Sequence, residues 1–338
     1  MSDPATQPRR RGAPFPVGLI GAGKHGLRYL NHIRADVPQL RLAALSRRDV
    51  ARGAAQARDL EIAFHADWRD LVADPAVDGV VAVVPPSLHR PIVEAVAEQG
   101  KALLIEKPLA TTGSDAAAIV RRIRSAGLPC LMAHTLRWNT VVTSLRERLH
   151  TLGPLRALVV NQRFEPSPLD WLDQPERSGG GILLHTGVHS FDLVRWLTGC
   201  EVTRVWCRTA RAVTVSTEDN FLATLELEGS DALVAVGGSR ATAGRSGLVD
   251  AACRDGQILA DHQQHWLHTV RGLERTPVEL GPAAPTVREA VAAFARLVLA
   301  HESPPVGLAD GARAVLIAEA CMRSAAAGIP MPVERLDA

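Results

Sequence analysis

The chain has 338 residues, a formal net charge of +2, 46% hydrophobic residues and 22% charged ones. That length supports two domains with separate cores, and a near-neutral balance with no basic run beyond Arg9-Arg10-Arg11 gives nucleic acid no obvious footing. Five scattered cysteines without C-x-x-C spacing exclude a disulfide framework and a zinc ribbon and point to a reducing cytoplasm. No apolar stretch is long enough for a membrane span, and residues 1–13 read as a disordered tail rather than a signal peptide.

The first regular element is an apolar strand, Pro16 to Ile20, running into Gly21-Ala22-Gly23-Lys24-His25-Gly26 and then a helix with Leu27, Leu30 and Ile33 on one face. Gly21 permits a tight turn, Gly23 lets a pyrophosphate approach the backbone, and Gly26 allows close helix packing. The free N–H groups of the helix N-terminus complete an anion site, so Lys24 and His25 lie among the cofactor contacts. The next strand, Leu40 to Leu45, ends in Ser46-Arg47-Arg48, where an NAD-specific site carries a carboxylate for the ribose hydroxyls. A hydroxyl and two guanidiniums suit a 2′-phosphate instead, which predicts NADP(H) over NAD(H); two adjacent arginines can also be a solvated turn.

Further on, an alanine-rich helix (49–60), a short strand (62–64) and a helix near 68–72 lead to a strand at 79–84 that is apolar at every position, as one buried on both faces should be. It ends at Pro85-Pro86-Ser87-Leu88-His89. A helix (90–99) and a second buried strand (102–105) deliver Glu106-Lys107-Pro108, and a helix (114–126) and strand (128–133) deliver His134, Arg137 and Asn139. Polar groups at successive strand ends mark the ligand edge of an open α/β sheet, so residues 14–150 are predicted to form a doubly wound parallel Rossmann domain.

Past Gly153-Pro154 the texture changes to strands at 155–163, 202–215, 221–227 and 232–239 and shorter ones through Val278, predicting an α+β domain over 151–285 with an open, mostly antiparallel sheet. One helix, His189 to Leu197, interrupts them and is closed by Gly199. Helices at 287–300 and 310–326 are expected to pack back on the first domain, within a closing segment 286–338.

With the glycine turn, Glu106-Lys107-Pro108 and the segment Gly179-Gly180-Gly181 through His185, His189 and Asp192 in order, nearly the whole chain resembles the Gfo/Idh/MocA family of oxidoreductases. The resemblance implies hydride transfer between NAD(P) and a hydroxyl or carbonyl carbon of a sugar, cyclitol or derivative, and a homodimer or homotetramer associating through the open sheet. It places Lys107 as the catalytic lysine and His189 as the catalytic histidine. The family often carries a cis peptide before the proline of this motif. Where many members have Asp, this chain has His185, which could share acid–base work, bind a substrate anion when protonated, or fill the position; no third ligand supports a metal. Pro85, Ser87 and His89 match a cofactor-lining segment loosely, and Glu106 adjoins it. Arg137, Asn139, Arg163 and Trp171 are candidate substrate contacts, while Asp192 and Arg195 could orient His189 or pair with each other. Rival readings are a reductase of a biosynthetic keto or imine compound, a cofactor-retaining glycosidase and an NADP-sensing regulator.

Overall fold

A computed structural model describes residues 13–336, so the expected N-terminal tail falls, but for Ala13, outside the described residues. Six strands, β1 (Phe15–Ile20), β2 (Leu40–Ser46), β3 (Ala63–His65), β4 (Gly79–Ala82), β5 (Ala102–Ile105) and β6 (Cys130–Met132), form one sheet in the order β3-β2-β1-β4-β5-β6. Every pairing is parallel. The chain builds outward from β1 to β3 and then returns to the other side of β1 with β4. This reversal leaves a crevice at the carboxyl ends of β1 and β4, the place where such sheets bind ligands.

Strand alternation sorts the core into two layers. Val17, Leu19, Val81 and Leu104 face a layer with Tyr29, Ile33 and Phe294, where Phe15 and Phe294 meet edge to face at 6.4 Å. Ile20, Val80, Leu103 and Ile105 face the opposite layer with Ile92, Val93 and Ile119. Both faces are covered, which is why β4 and β5 are apolar throughout.

The second sheet has nine strands: β7 (Leu155–Arg163), β8 (Val202–Ala210), β9 (Asn220–Leu227), β10 (Ser230–Ser239), β11 (Ser246–Cys253), β12 (Gly256–Asp261), β13 (Trp266–Arg271), β14 (Glu274–Pro277) and β15 (Met331–Pro332). Their order is β14-β13-β12-β11-β7-β10-β9-β8-β15, antiparallel except where β10 runs parallel to β7. The helices Val188–Thr198 and Leu308–Ala327 cover one face. The other leaves Val159, Trp206, Leu222, Leu233 and Leu248 exposed.

One expectation needs correction. The strand expected to reach Val215 stops at Ala210, because side chains rather than a ladder take up the next backbone donors. Asp219 accepts the N–H groups of Ala212, Val213 and Thr214, and Asp173 those of Val215, Ser216 and Thr217. Both closing helices pack back on the first domain, but the second does not pack on it alone. Thr286–Ala300 packs on it, but Leu308–Ala327 lies between the two sheets: Glu319 accepts from the Gly113 N–H on one side and the Ser324 hydroxyl from the Cys207 N–H on the other. Its extension β15 then pairs with β8.

Candidate active site

The glycine turn has the shape a pyrophosphate needs. Gly21 adopts φ +95°, and a Cβ there would lie 2.1 Å from the Val83 carbonyl oxygen. At Gly26 a Cβ would lie 2.0 Å from the Gly21 carbonyl, so the helix Gly26–Ala35 presses on the turn itself. At Gly23, by contrast, a Cβ would meet nothing within 4 Å. The helix has no side-chain cap, and the N–H groups of Lys24, His25 and Gly26 find no acceptor among the described residues. Free backbone donors around an open hollow fit a dinucleotide's phosphates.

Glu106, at the end of β5, is buried and ties this turn to its neighbours. It accepts hydrogen bonds from Tyr29 Oη and the Lys107 N–H and lies 2.6 Å from His25 Nε2. Burial alone would raise its pKa, but the hydrogen bond and charge of His25, the charge of Lys107 and the Tyr29 hydroxyl bring it down to about 2. The carboxylate therefore stays ionised over the whole working range. Lys107 follows it, with a cis peptide to Pro108. Its Nζ donates to the His185 carbonyl at 2.9 Å, which fixes the ammonium across the gap between the domains. Burial lowers its pKa, Glu106 opposes this, and Arg240 lowers it further.

His185 and His189 come from one continuous helical run, earlier than the expected start at His189. Glu218 makes that start possible: its carboxylate accepts from the N–H groups of Gly181 and Leu183, and its carbonyl from Ile182. Residues Leu183–Gly187 form a π-helical turn that passes into the helix Val188–Thr198. Burial, then Arg240 and Lys107, hold the His185 pKa well below the ordinary value; burial and Lys107 do the same for His189. Both surroundings favour the neutral imidazole. His185 Nε2 and His189 Nδ1 are buried without partners among the described residues.

Lys107, His185 and His189 line one cleft of about 780 Å³ together with Asn139, Gln162, Thr186, Arg240 and His262. Asn139 also caps the helix Thr140–Leu149 through the Val141 and Val142 N–H groups. Trp171 stands edge-on to His185 at 5.3 Å. Ser46 is buried, Arg47 donates to Gln56 Oε1 at 3.3 Å, and Arg48 is exposed; Pro85 is half-buried and Ser87 exposed.

Three candidates are placed elsewhere. His89 is fully buried, its ring between the carbonyl oxygens of Leu109 and Val84, so it joins two loops and presents no surface to a cofactor. Arg137 is spent on Asp192, at 2.6 and 2.9 Å, and on Asp310 at 3.1 Å. Arg163 bonds Asn161 Oδ1, two residues back on the same face of β7, so the intervening Gln162 is the one that enters the cleft. Asp192 bonds Arg137 and makes no hydrogen bond to His189 among the described residues, while Arg195 bonds Glu201 at 2.7 and 2.8 Å and also pairs with Asp192, as expected, at 3.9 Å. Sequence reasoning passed over Gln162, Arg240 and His262. For Gln162 the alternation of β7 was a usable signal; Arg240 and His262 follow strand ends that carry no motif.

A Rossmann sheet with a phosphate cradle, facing a half-buried lysine and a histidine, defines a pyridine-nucleotide oxidoreductase. Residues 15–134 match the model described as an oxidoreductase family with an NAD-binding Rossmann fold, and residues 148–259 match the Gfo/Idh/MocA C-terminal domain. The chain belongs to the Gfo/Idh/MocA family. It is 24% identical over 336 residues to the uncharacterized oxidoreductase YrbE of Bacillus subtilis, covering 95% of this chain and 97% of that protein. It is 32% identical over 203 residues to inositol 2-dehydrogenase 1 of Saccharopolyspora erythraea, a match spanning 58% of each chain. A solved structure of levoglucosan dehydrogenase in complex with NADH and levoglucosan superposes with a TM-score of 0.84 at 22% identity, over 95% of this chain and 100% of that one, and so shares the fold.

The electrostatics make a prediction about pH. Because burial and the Lys107 charge favour neutral His189, a kcat/KM profile governed by His189 is expected to have its acid limb below pH ~6.5, the ordinary histidine value. A pH profile with that limb at 7 or above contradicts the arrangement.

Proposed function

We propose that the protein transfers hydride between NADP(H) and a secondary alcohol or ketone of a sugar, cyclitol or derivative. The observation that carries this reading is Lys107 Nζ held on the His185 carbonyl, in the same cleft as the neutral, unpartnered His189. A bound nicotinamide supplies the hydride acceptor or donor. His189 takes the hydroxyl proton in oxidation and returns it in reduction. Lys107 donates to the substrate oxygen, where negative charge builds as the hydroxyl proton leaves in oxidation or as hydride arrives in reduction, and its lowered proton affinity suits the exchange. The names of the relatives, inositol 2-dehydrogenase and levoglucosan dehydrogenase, support the same substrate class. Lys107→Met, followed by nicotinamide absorbance across a panel of sugars and cyclitols, is expected to lose at least ~100-fold in kcat with cofactor affinity kept. Undiminished turnover removes the lysine from the mechanism.

The preference for NADP(H) rests on the end of β2. Arg47 and Arg48 stand where a ribose-binding carboxylate would be, and Asp49 is occupied as the cap of the helix Val50–Asp59 and by Arg52. Arg47→Ala is expected to weaken NADPH binding ~10-fold or more while NADH changes by less than ~2-fold. Equal losses in a fluorescence titration remove the case for phosphate recognition.

The bare face of the second sheet supports self-association through it. Leu233 is 77% and Leu222 59% exposed on β10 and β9, with Trp206 and Val159 alongside. Leu222→Lys with Leu233→Lys is expected to convert the oligomer to monomer in sedimentation velocity, and an unchanged coefficient refutes the role of this face.

A further inference from the structure

The charge lining the cleft is lopsided. Arg28, Lys107, Arg240 and Arg245 stand against a single carboxylate, Glu165. At the outer rim Glu165 and Arg245 satisfy each other at 2.8 Å, and Lys107 has Glu106 beside it. Arg240 has no such counter-ion. It follows β10, its backbone N–H pinned to the Asp219 carbonyl at 2.8 Å. Its one side-chain hydrogen bond among the described residues runs from Nη2 to the Thr186 hydroxyl at 3.1 Å. Glu218 acts on it only at a distance, because that carboxylate is committed to the Gly181 and Leu183 N–H groups. A half-buried guanidinium without a partner is costly unless a ligand supplies the anion.

Its position tells which ligand. Arg240 bonds Thr186, the neighbour of His185, whose carbonyl holds Lys107 Nζ, so it lies within the span of one small molecule reacting at Lys107. It belongs to the second domain, whereas the free donors for a dinucleotide's phosphates sit in the glycine turn of the first. Arg240 lines the cleft, and the N–H groups it does not spend on Thr186 belong to a planar fork that matches a carboxylate or phosphate. His185, His189 and His262 line the same cleft. Resting on the oxidoreductase reading above, we propose that Arg240, fastened by Thr186, anchors an oxyanion of the substrate, so that the compound is an acidic sugar or cyclitol derivative rather than a neutral polyol.

The test pairs each neutral compound with its acidic counterpart: D-glucose with D-gluconate, D-glucuronate and D-glucose 6-phosphate, and myo-inositol with myo-inositol 1-phosphate. NADP⁺ reduction is followed for the oxidisable members and NADPH oxidation for the carbonyl forms. The expected result is a kcat/KM for a carboxylate or phosphate member at least ~30-fold above its neutral parent. Arg240→Met is expected to collapse that ratio toward one, mainly through KM, and Arg240→Lys to retain part of it; unchanged NADPH affinity shows that both variants are folded. The carboxylate and phosphate arms tell the two sources of the oxyanion apart. Equal turnover of neutral and acidic members, or a ratio that survives Arg240→Met, overturns the proposal. If nothing in the panel turns over, the reaction assignment fails. Calorimetric titration of D-gluconate and inorganic phosphate into the NADPH-loaded protein then decides the anchor: binding that Arg240→Met weakens at least ~10-fold upholds it, and no binding overturns it.

Discussion

The site is built around one buried carboxylate. Glu106 gathers a hydrogen bond from a helix of the first domain through Tyr29, a contact with the glycine turn through His25 and one from its own neighbour Lys107. Desolvating an anion is expensive, and only this dense set of donors makes the ionised form the stable one. The converse also holds, since each donor loses its freedom by serving the carboxylate. The glycine turn and the backbone of Lys107 are thus positioned by the same carboxylate, although 81 residues separate His25 from Glu106.

A second ionic cluster does for the histidine what Glu106 does for the lysine. Asp192, three residues after His189 on the helix Val188–Thr198, is clamped by Arg137 from the first domain, and Arg137 and Arg195 share Asp310 from the last helix. Three segments distant in sequence therefore fix one helix face. Bidentate pairing to a guanidinium restrains rotation as well as distance, which matters for a helix that must present His189 at one angle. His134 fills the space between, its ring 5.9 Å from that of His189.

Much of this could be read in the chain, because the chemistry sat in short motifs at strand ends. The glycine turn, Glu106-Lys107-Pro108 and the pairing of His185 with His189 in one cleft all followed from local pattern and family resemblance. The alternation of apolar residues located most strands of both sheets. What escaped was any feature decided by a distant partner. Arg137 looked like a free cation at a cleft edge until Asp192 and Asp310 were found against it. His89 matched a cofactor-lining segment, but its ring lies between two carbonyl oxygens. The segment after Ala210 had the β-branched composition of a strand, yet two aspartates satisfy its backbone. Arg240 and His262 carried no local signal at all, because their meaning lies in what they face.

The helix Leu308–Ala327 has a consequence for how the molecule opens. Two lobes joined only by a linker can swing about it, and a cleft between them can gape. Here a 20-residue rod is wedged along the seam, gripping Gly113 on one side and Cys207 on the other, and its tail is sewn into the far edge of the second sheet. Any large rotation would have to shear that rod from one of its beds and expose Val315, Ile317 and Ala318 to water. The contacts of this rod with both lobes oppose a large rotation of one against the other.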